Sequence, residues 1–467
     1  MTSDVDGTDR LSVVRAALER PDGIAFASAE GTTTYARLAR RVTAAMRELR
    51  SRVDPRAQDA LVALTPRPTE ESIVPLLACI ELGVPFVALH PRAPEAERRR
   101  LLERVRPTWI VPSDEAFGAS CAPEPGPPID PETPLAVLFT SGTSGTPKPV
   151  VLSRRAFLAS ADASAERLPI GPGDGWLLAL PPAHVGGLSV VTRSLVARST
   201  VVLAGEGAFD PAAFARAIDE GATLVSVVPT TLRRLLDLEP RYAPPPSLRV
   251  VLVGGAAAAP SLLAEALERG FPVRATYGLT EACSQVATQS RPDEPGAGRP
   301  LQGTEVRIVD GQISVRSRTL LSGYWPLGSS PSPLDAEGFF ATGDLGELDS
   351  GGCLHVHARR SDLVVTGGEN VYPAEVEAAL LAIPGVVGAC VVGIDDRDLG
   401  QRVAAAVALA SAAVEPEGLR ASLRAQLASF KLPRTIVVVD ALPTLPGGKL
   451  DRLAVRRLLS DTTRAPG

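Results

Sequence analysis

The sequence is poor in the residues that mark several special classes of protein. Aromatic residues make up only 4% of its 467 residues, and its five cysteines are scattered, with no Cys-x-x-Cys pair. An odd number of isolated cysteines argues against a disulfide framework or a zinc site and favours reduced thiols. The cysteines are Cys79, Cys121, Cys283, Cys353 and Cys390.

The sequence also lacks an excess of basic residues and a long apolar run. Its 48 Lys and Arg residues are outnumbered by 53 Asp and Glu residues, so no nucleic-acid partner is expected. The longest apolar stretch, 73–89, contains Pro75, Glu81 and Pro85, which argues against membrane insertion. The first ten residues, MTSDVDGTDR, are acidic and polar, unlike a signal peptide. A cytoplasmic protein is therefore expected.

Strand-like and helix-like runs alternate over most of the chain, which predicts an α/β fold with mostly parallel sheets. Residues 11–50 are predicted to be mainly helical, with a strand end at 32–35, and two successive α/β halves are expected up to about residue 275. From about 297, short strands and turns predict a β-barrel-like subdomain, and the last hundred residues predict a small α+β unit. We therefore expect a large N-terminal part and a small C-terminal unit that begins at about residue 361.

A polar loop between two apolar runs is the most informative segment. It reads TSGTSGTPK from Thr140 to Lys148, directly after the apolar run 135–139. Glycines allow a backbone to approach a ligand closely, and hydroxyls with a lysine suit phosphate oxygens. The Walker A pattern is absent. The loop is therefore either a phosphate-binding loop or an ordinary Gly/Ser turn between strands.

Four further polar motifs follow apolar segments or lie on tight turns. They are TYGLTE at 276–281, ATGDLG at 341–346, the long segment 359–377 with its GGEN turn, and LPGGKL at 445–450. Glu281 offers a hard oxygen ligand for Mg²⁺, and Asp344 in a tight turn can accept the hydroxyls of a ribose. Taken singly, each motif is equally well a helix cap, a turn or a charged helix face.

In this order the motifs resemble those of the adenylate-forming superfamily, which includes acyl-CoA synthetases, adenylation domains of peptide synthetases and firefly luciferase. The matching segments are FTSGTSGTPKP, LPPAHVGGLS, VLVGGAA, TYGLTE, TGD, ARRSDLVVTGGENVYPAEVE and LPGGKLDR, between about residues 30 and 455. Within the superfamily, LPPAHVGGLSVVTRSL, SVVPTTLRRLL and ISVRSRTLLSGYW resemble the o-succinylbenzoate–CoA ligases of menaquinone biosynthesis.

The resemblance implies an ATP-dependent acid–thiol ligase that uses Mg²⁺ and CoA. It implies an AMP-binding domain at 1–359 and a mobile domain at 360–467 that carries the catalytic Lys449. Thr280 would contact the α-phosphate, and Glu281 would bind Mg²⁺. The other implied residues are Thr140, Ser141, Gly142, Thr143, Ser144, Gly145 and Lys148 for the ATP phosphates; Gly254, Gly255, Ala256, Tyr277 and Gly278 for adenine; Asp344 and Arg359 for ribose; and Gly367 and Gly368 for pantetheine.

The acyl pocket raises a separate question, because Arg193 lies in an apolar segment where a charge is costly to bury without a partner. Arg193 either reaches the surface, pairs with a distant carboxylate, or pairs with a carboxylate of the substrate. The resemblance favours the last, with the ring carboxylate of o-succinylbenzoate as the partner. His184 resembles the family's aromatic gate, although it could equally be structural. The residues implied for the substrate are His184, Arg193, Ser226, Thr280 and Ser284.

Three alternatives stay open at this stage: a ligase for another aryl or short acyl acid, a free-standing adenylation enzyme that loads a carrier protein, and an inactive nucleotide-binding homologue. The joint presence of Lys449, Glu281 and Asp344 with Arg359 argues against an inactive homologue. Homo-oligomer formation is left open, as is the identity of the hinge residue. Departures from the usual superfamily pattern are Pro149, Ala358 and Ser361.

Overall fold

The computed structural model describes residues 10–57, 59–112, 117, 121–140, 147–205, 209–238, 242–359, 362–366, 369–396, 398–410, 416–424, 426–445 and 449–462, apart from the side chains of Arg359 and Thr462. The helices of this part of the chain are α1 Val13–Glu19, α2 Tyr35–Arg52, α3 Glu70–Leu82, α4 Glu95–Val105, α5 Arg154–Arg167, α6 Val185–Ala197, α7 Pro211–Asp219, α8 Pro229–Leu238, α9 Pro260–Glu268, α10 Pro373–Leu381, α11 Pro416–Arg424 and α12 Arg452–Thr462.

The strands are β1 Ile24–Ser28, β2 Gly31–Thr34, β3 Val62–Leu64, β4 Phe86–Ala88, β5 Trp109–Ile110, β6 Pro134–Thr140, β7 Lys148–Ser153, β8 Gly175–Leu178, β9 Thr200–Leu203, β10 Leu224–Val227, β11 Val250–Val253, β12 Val273–Leu279, β13 Ser284–Thr288, β14 Arg299–Pro300, β15 Thr304–Val309, β16 Gln312–Ser317, β17 Gly323–Tyr324, β18 Phe340–Leu348, β19 Leu354–Arg359, β20 Val364–Thr366, β21 Glu369–Val371, β22 Val386–Asp396, β23 Gly400–Leu409 and β24 Thr435–Val439.

Two α/β layers form the large part of the molecule, which confirms the predicted fold class. One sheet has the order β14-β13-β12-β11-β10-β8-β9-β1-β2, and the other has the order β17-β7-β6-β4-β3-β5. Their central strands are parallel, whereas the edges at β2, β13, β14, β7 and β17 pair antiparallel. Short apolar strands bounded by polar turns fit this arrangement, because both faces of a parallel sheet are buried.

The remaining strands form two smaller sheets. The β-rich region predicted after residue 297 is a four-stranded antiparallel sheet, β15-β16-β18-β19. The C-terminal α+β region is built on β21-β20-β23-β22, with β24 parallel to β23. Its core lies between that sheet and helices α10 and α11. In the described chain, no helix combines the length and apolar character that crossing a bilayer requires.

Two predictions of local structure are wrong. Residues 24–28, predicted as helix, form strand β1, which pairs with β2 in a hairpin; the β-branched run 32–34 favours strand, and Gly31, at φ 134°, makes the turn. Strand β12 continues through Leu279, so most of the TYGLTE motif lies within the strand rather than after it. The reason is tertiary, since residues 276–279 pair with β13.

The order in which the chain adds strands to the large sheet reverses between β8 and β10. The chain leaves β8 through α6 to β9 on one side, and later returns through α7 to β10 on the other side. Strands β8 and β10 are direct parallel neighbours, with Trp176 opposite Leu224. Ligands of open α/β sheets bind at the carboxyl ends of strands beside such a switch point. The fold therefore places the segment 179–184 and the end of β10 at the position expected for a substrate.

Candidate active site

Arg193 is buried inside the protein, with no carboxylate partner among the described residues. It lies on α6, whose residues 187–195 are all buried, and only 3% of its surface is exposed. Its Nη2 donates to Ser160 Oγ at 3.1 Å, and its Nε finds no hydrogen-bond acceptor in the described part of the chain. Burial lowers the pKa of the guanidinium to about 10, which leaves it charged at neutral pH. The sequence left three possibilities for the Arg193 side chain: exposure at the surface, a distant carboxylate of the protein, or a carboxylate of the substrate. Exposure at the surface is thus excluded.

Ser226 lies on β10 and shares a tryptophan neighbour with Arg193. The indole Nε1 of Trp176, on β8, donates to Ser226 Oγ at 3.0 Å. The Arg193 Cζ lies 5.7 Å from the centre of the same indole ring, within the range of a cation–π contact. The structure thus brings together two residues predicted for the acyl substrate, through a third that the sequence did not single out.

The turn that begins at the end of the TYGLTE motif carries or precedes two more predicted residues. Thr280 begins a 3₁₀ turn that ends at Cys283, and Ser284 begins β13. Cys283 and Ser284 have φ of 50° and 93°, a sterically costly conformation that tends to persist at functional sites. Ser160 Oγ donates to the Cys283 carbonyl at 2.8 Å. Ser160 therefore links this turn to Arg193.

The predicted adenine and ribose residues also meet. The Tyr277 hydroxyl donates to Asp344 Oδ2 at 2.6 Å, and Asp344 is nearly fully buried. Asp344 on β18 is the register partner of Arg359 on β19, so both predicted ribose residues lie at the same level of one antiparallel pair. The side chain of Arg359 lies outside the described residues.

Glycines of the predicted adenine site stand where a side chain would not fit. A Cβ at Gly254 would lie 2.6 Å from the Thr276 side chain, and one at Gly278 would lie 1.9 Å from the Ser284 carbonyl oxygen. Gly255 has φ +77°, and with Ala256 it is exposed after the end of β11. At Gly254 and Gly278 the missing Cβ allows close packing against neighbouring protein, whereas the exposed Gly255 leaves backbone that a flat aromatic ligand can approach.

Two of the residues predicted for the ATP phosphates lie on the hairpin β6–β7. Thr140 and Lys148 are register partners across the hairpin, and the predicted loop residues Ser141, Gly142, Thr143, Ser144 and Gly145 lie outside the described residues. Lys148 Nζ lies 5.5 Å from the ring centre of Tyr324. Burial and the negative charge of Glu281 raise the pKa of Tyr324 to about 12. Tyr324, which the sequence did not single out, thus connects the predicted phosphate lysine with the predicted Mg²⁺ ligand.

His184 stands at the N-terminal cap of α6 and faces a second histidine. The ring centres of His184 and His90 are 5.3 Å apart, and His90 was not predicted. His184 is exposed as a residue, although the surrounding protein removes much of the water around its ring. Burial, with the positive charges of His90 and Lys449, lowers the pKa of His184 to about 4. His184 is therefore neutral at physiological pH.

Lys449 reaches the predicted adenine site from the C-terminal region. A Cβ built on Gly255 would lie 3.8 Å from Lys449 Cε. Backbone pairing holds the lysine in place, since Leu445 N donates to the Lys449 carbonyl at 2.7 Å and Thr444 bridges Leu450. The predicted pantetheine residues Gly367 and Gly368 lie outside the described residues. The structure therefore brings Lys449 close to the residues predicted for adenine, and its role in adenylation stays a prediction.

The residues present fit ATP with Mg²⁺. No group of three or more His, Cys, Asp or Glu side chains suited to hold a metal occurs in the described part of the chain. Mg²⁺ nevertheless keeps several waters and binds mainly through substrate phosphates, so one carboxylate is enough, and Glu281 is the predicted one.

Family models match both parts of the chain. The AMP-binding enzyme family matches residues 112–325, and the AMP-binding enzyme C-terminal domain matches residues 375–449. Among curated proteins, the chain is 34% identical to the 2-succinylbenzoate–CoA ligase of Bacillus licheniformis, over 92% of this chain and 96% of that one. It is 31% identical to the enzyme of the same name from Enterococcus faecalis, over 92% and 95%.

Solved structures agree with these matches. The o-succinylbenzoate CoA synthetase of Bacillus subtilis, in complex with the acyl-adenylate intermediate, superposes with a TM-score of 0.84 at 31% identity, covering 96% of this chain and 98% of that chain. ATP-bound MatB from Rhodopseudomonas palustris superposes with a TM-score of 0.87 at 27% identity, covering 98% and 100%. The chain therefore belongs to the AMP-binding enzyme family, in the branch of the 2-succinylbenzoate–CoA ligases.

Proposed function

We propose that this protein converts o-succinylbenzoate to its CoA ester in two steps, with ATP and Mg²⁺, as a step of menaquinone biosynthesis. In the first step a carboxylate oxygen of the acid attacks the α-phosphorus of ATP, and pyrophosphate leaves. In the second step the thiolate of CoA attacks the carbonyl carbon of the acyl-adenylate, and AMP leaves. The relatives named above as 2-succinylbenzoate–CoA ligases support this assignment over nearly the whole chain.

The buried charge of Arg193 is the observation that most directly supports a substrate with a second carboxylate. A guanidinium removed from water without a counter-ion is destabilising, and a neutral acyl pocket would not require it. o-Succinylbenzoate has two carboxylates, of which the aliphatic one is activated. The ring carboxylate would supply the missing counter-ion of Arg193 and accept a hydrogen bond from Ser226. We place Thr280, Ser284 and His184 at the edge of the same pocket.

The nucleotide would be held by the residues gathered at the ends of β11, β12 and β18. Tyr277 would stack on adenine beside the backbone of residues 254–256. Asp344 would accept hydrogen bonds from the ribose hydroxyls, and Arg359 would donate to them. Lys148 and the loop before it would bind the terminal phosphates. Mg²⁺, held through Glu281, would neutralise phosphate charge and assist the departure of pyrophosphate.

Lys449 would stabilise the charge that develops between the attacking carboxylate and the α-phosphate. Its closeness to Gly255, among the residues proposed for adenine, supports a role in the adenylation step. For the second step we propose that residues 360–467 rotate as a body relative to residues 1–359, so that the segment around Gly367 and Gly368 lines the path of pantetheine. The start of a separate sheet at Val364 supports that boundary.

The test is CoA-ester formation with ATP, Mg²⁺ and CoA, comparing o-succinylbenzoate with benzoate and with 4-oxo-4-phenylbutanoate, which lacks the ring carboxylate. We expect the wild type to prefer o-succinylbenzoate and Arg193→Ala to lose that preference. Arg198→Ala is the matched control, because Arg198 ends the same helix but pairs with Glu19 at 2.7 Å. A wild type that prefers mono-acids, or transfers the acyl group only to a carrier-protein thiol, contradicts the proposal.

A further inference from the structure

Trp176 contacts both residues that we place at the second carboxylate of the substrate. Its indole face lies under the Arg193 guanidinium, with 5.7 Å between Cζ and the ring centre, and its Nε1 edge donates to Ser226 at 3.0 Å. The side chain is fully buried, and Trp176 lies on β8, directly beside β10. One rigid ring therefore sets the position of a cation and a hydroxyl that come from different elements.

The direction of the Trp176 hydrogen bond decides what Ser226 can do. An indole N–H only donates, so Ser226 Oγ must accept from it. The proton of the Ser226 hydroxyl is then directed away from the indole and remains available to an acceptor. A carboxylate is such an acceptor, and it also neutralises Arg193. The indole thus prepares Ser226 as a donor at the side of the guanidinium.

Ser160 completes the support on the other side of Arg193. Because Ser160 Oγ donates its single proton to the Cys283 carbonyl, it can only accept from Arg193 Nη2. The guanidinium is consequently held between the indole face and a hydroxyl with a defined orientation. Long cationic side chains lose considerable freedom when they are held in this way, and a site that is already ordered binds its ligand with a smaller entropic cost.

We propose that Trp176 is a positioning residue that sets acyl specificity, by aligning Arg193 and Ser226 as paired donors for the second carboxylate of the substrate. This inference rests on the proposed function. A purely structural role predicts something different: loss of the indole would then loosen the core and weaken the use of all acids alike. The two roles are separated by comparing acids with and without the second carboxylate.

The first experiment measures KM and kcat of Trp176→Phe for o-succinylbenzoate and for 4-oxo-4-phenylbutanoate. Phenylalanine keeps an aromatic face but removes the N–H. We expect the KM for o-succinylbenzoate to rise about five- to tenfold, as for the loss of one hydrogen bond to a group that binds a charge, with little change in kcat. The KM for the mono-acid is expected to stay within about twofold.

Trp109→Phe is the matched control. Trp109 also lies near a guanidinium, with Arg52 Cζ 5.9 Å from its ring centre, but it is on β5 of the other sheet. We expect this variant to keep the wild-type preference for o-succinylbenzoate. The comparison holds the chemistry of the substitution constant and changes only its place in the fold.

A second measurement does not depend on the stability of Trp176→Phe. In the double variant Trp109→Phe and Trp325→Phe, Trp176 is the single remaining tryptophan. We expect its fluorescence to change saturably when o-succinylbenzoate is added and to stay constant with 4-oxo-4-phenylbutanoate. Adding Arg193→Ala is expected to abolish the change.

The possible failures are distinguishable. A wild type without preference for the second carboxylate overturns the proposed function and this inference together. A wild type with that preference, lost in Arg193→Ala, keeps the proposed function. In that case, an equal rise in KM for both acids in Trp176→Phe, or fluorescence that responds equally to both acids, overturns the role of Trp176 alone.

Discussion

The Tyr277 hydroxyl donates a 2.6 Å hydrogen bond to the carboxylate of Asp344, across two different sheets. Tyr277 lies on β12 of the large α/β sheet, and Asp344 lies on β18 of the four-stranded sheet. The bond therefore ties the predicted adenine residue to the predicted ribose residue and joins two subdomains at the nucleotide site.

Tyr277→Phe removes this bond and keeps the ring that we propose to stack on adenine. We expect the KM for ATP to rise about tenfold with a small effect on kcat, because a hydrogen bond to a charged group contributes about 1.5–3 kcal/mol. Initial rates of ATP–pyrophosphate exchange at varied ATP measure this. Tyr242→Phe is the control, since Tyr242 makes a similar bond to Asp219, at 3.2 Å, in another part of the fold. An unchanged KM in Tyr277→Phe would contradict the role of the bond.

Lys449→Ala is expected to reduce ATP–pyrophosphate exchange about 10²–10³-fold, because one preorganised donor to the transition state is lost. Folding is expected to stay intact, as is CoA-ester formation from acyl-adenylate supplied from outside. Circular dichroism and the two half-reactions, measured separately, test this. Lys431→Ala is the control, because Lys431 lies in the same C-terminal region and pairs with Glu375 at 2.6 Å. Unfolding of Lys449→Ala would refute the assignment.

Arg452 anchors the segment that carries Lys449. Its guanidinium makes two hydrogen bonds to Glu377, at 2.6 and 3.0 Å, and its Nε lies 3.4 Å from Asp362, close to the boundary of the two predicted domains. Glu377→Gln is expected to lower the free energy of unfolding by about 2–3 kcal/mol, because a mostly buried cation loses the nearer of its two carboxylate partners. It is also expected to weaken adenylation more than thioester formation.

The ion pair Arg456–Asp395 is the control for this change. It lies one turn further along α12, at 2.8 Å, but its side chains are 43% (Arg456) and 89% (Asp395) exposed, so water screens the pair. Arg456→Ala is therefore expected to cost no more than about 1 kcal/mol. Urea unfolding of both variants measures the two losses of stability. Equal losses would contradict the prediction that Glu377 stabilises the fold more than an exposed ion pair does.

Gly278→Ala is expected to lose both stability and nucleotide binding. The added Cβ would lie 1.9 Å from the Ser284 carbonyl oxygen, so the pairing of β12 with β13 has to shift. Such a clash with backbone costs about 2–4 kcal/mol. In Gly171→Ala, by contrast, the Cβ meets nothing within 4 Å, and the variant should melt like the wild type. Thermal melts with and without ATP compare the two.

The depressed pKa of His184, about 4, predicts a loss of stability in mild acid. Below the ordinary imidazole pKa of about 6.5, the unfolded chain takes up a proton that the folded protein does not accept until the pH nears 4. Stability should therefore fall as the pH decreases through this window. His184→Asn is expected to reduce that slope, although His90, whose pKa is lowered as well, adds to it. Urea midpoints at about pH 7.5 and 5 measure the slope; an unchanged slope in His184→Asn contradicts the prediction.

Local chemistry explains what could be predicted from the sequence. Alternating apolar runs predict an α/β fold because strand and helix periodicity are properties of neighbouring residues. The positions of Lys148, Tyr277, Asp344 and Lys449 follow from short motifs, and the comparisons support the same family. The structure places Tyr277 against Asp344 and Lys449 beside Gly255, and the roles of these residues stay predictions.

Only the tertiary structure decides which side chains contact these residues. Ser160 is 33 positions from Arg193, and Trp176 is 50 positions from Ser226, so no local pattern reveals either contact. His90 and Tyr324 reach the site in the same way, from distant segments of the chain. The sequence alone does not decide whether Arg193 is exposed, pairs with a carboxylate of the protein, or pairs with a carboxylate of the substrate. The packing of α6 against β8 excludes exposure at the surface, because it buries the Arg193 guanidinium. The indole of Trp176 and the hydroxyl of Ser160 lie beside the guanidinium, and neither group carries a negative charge.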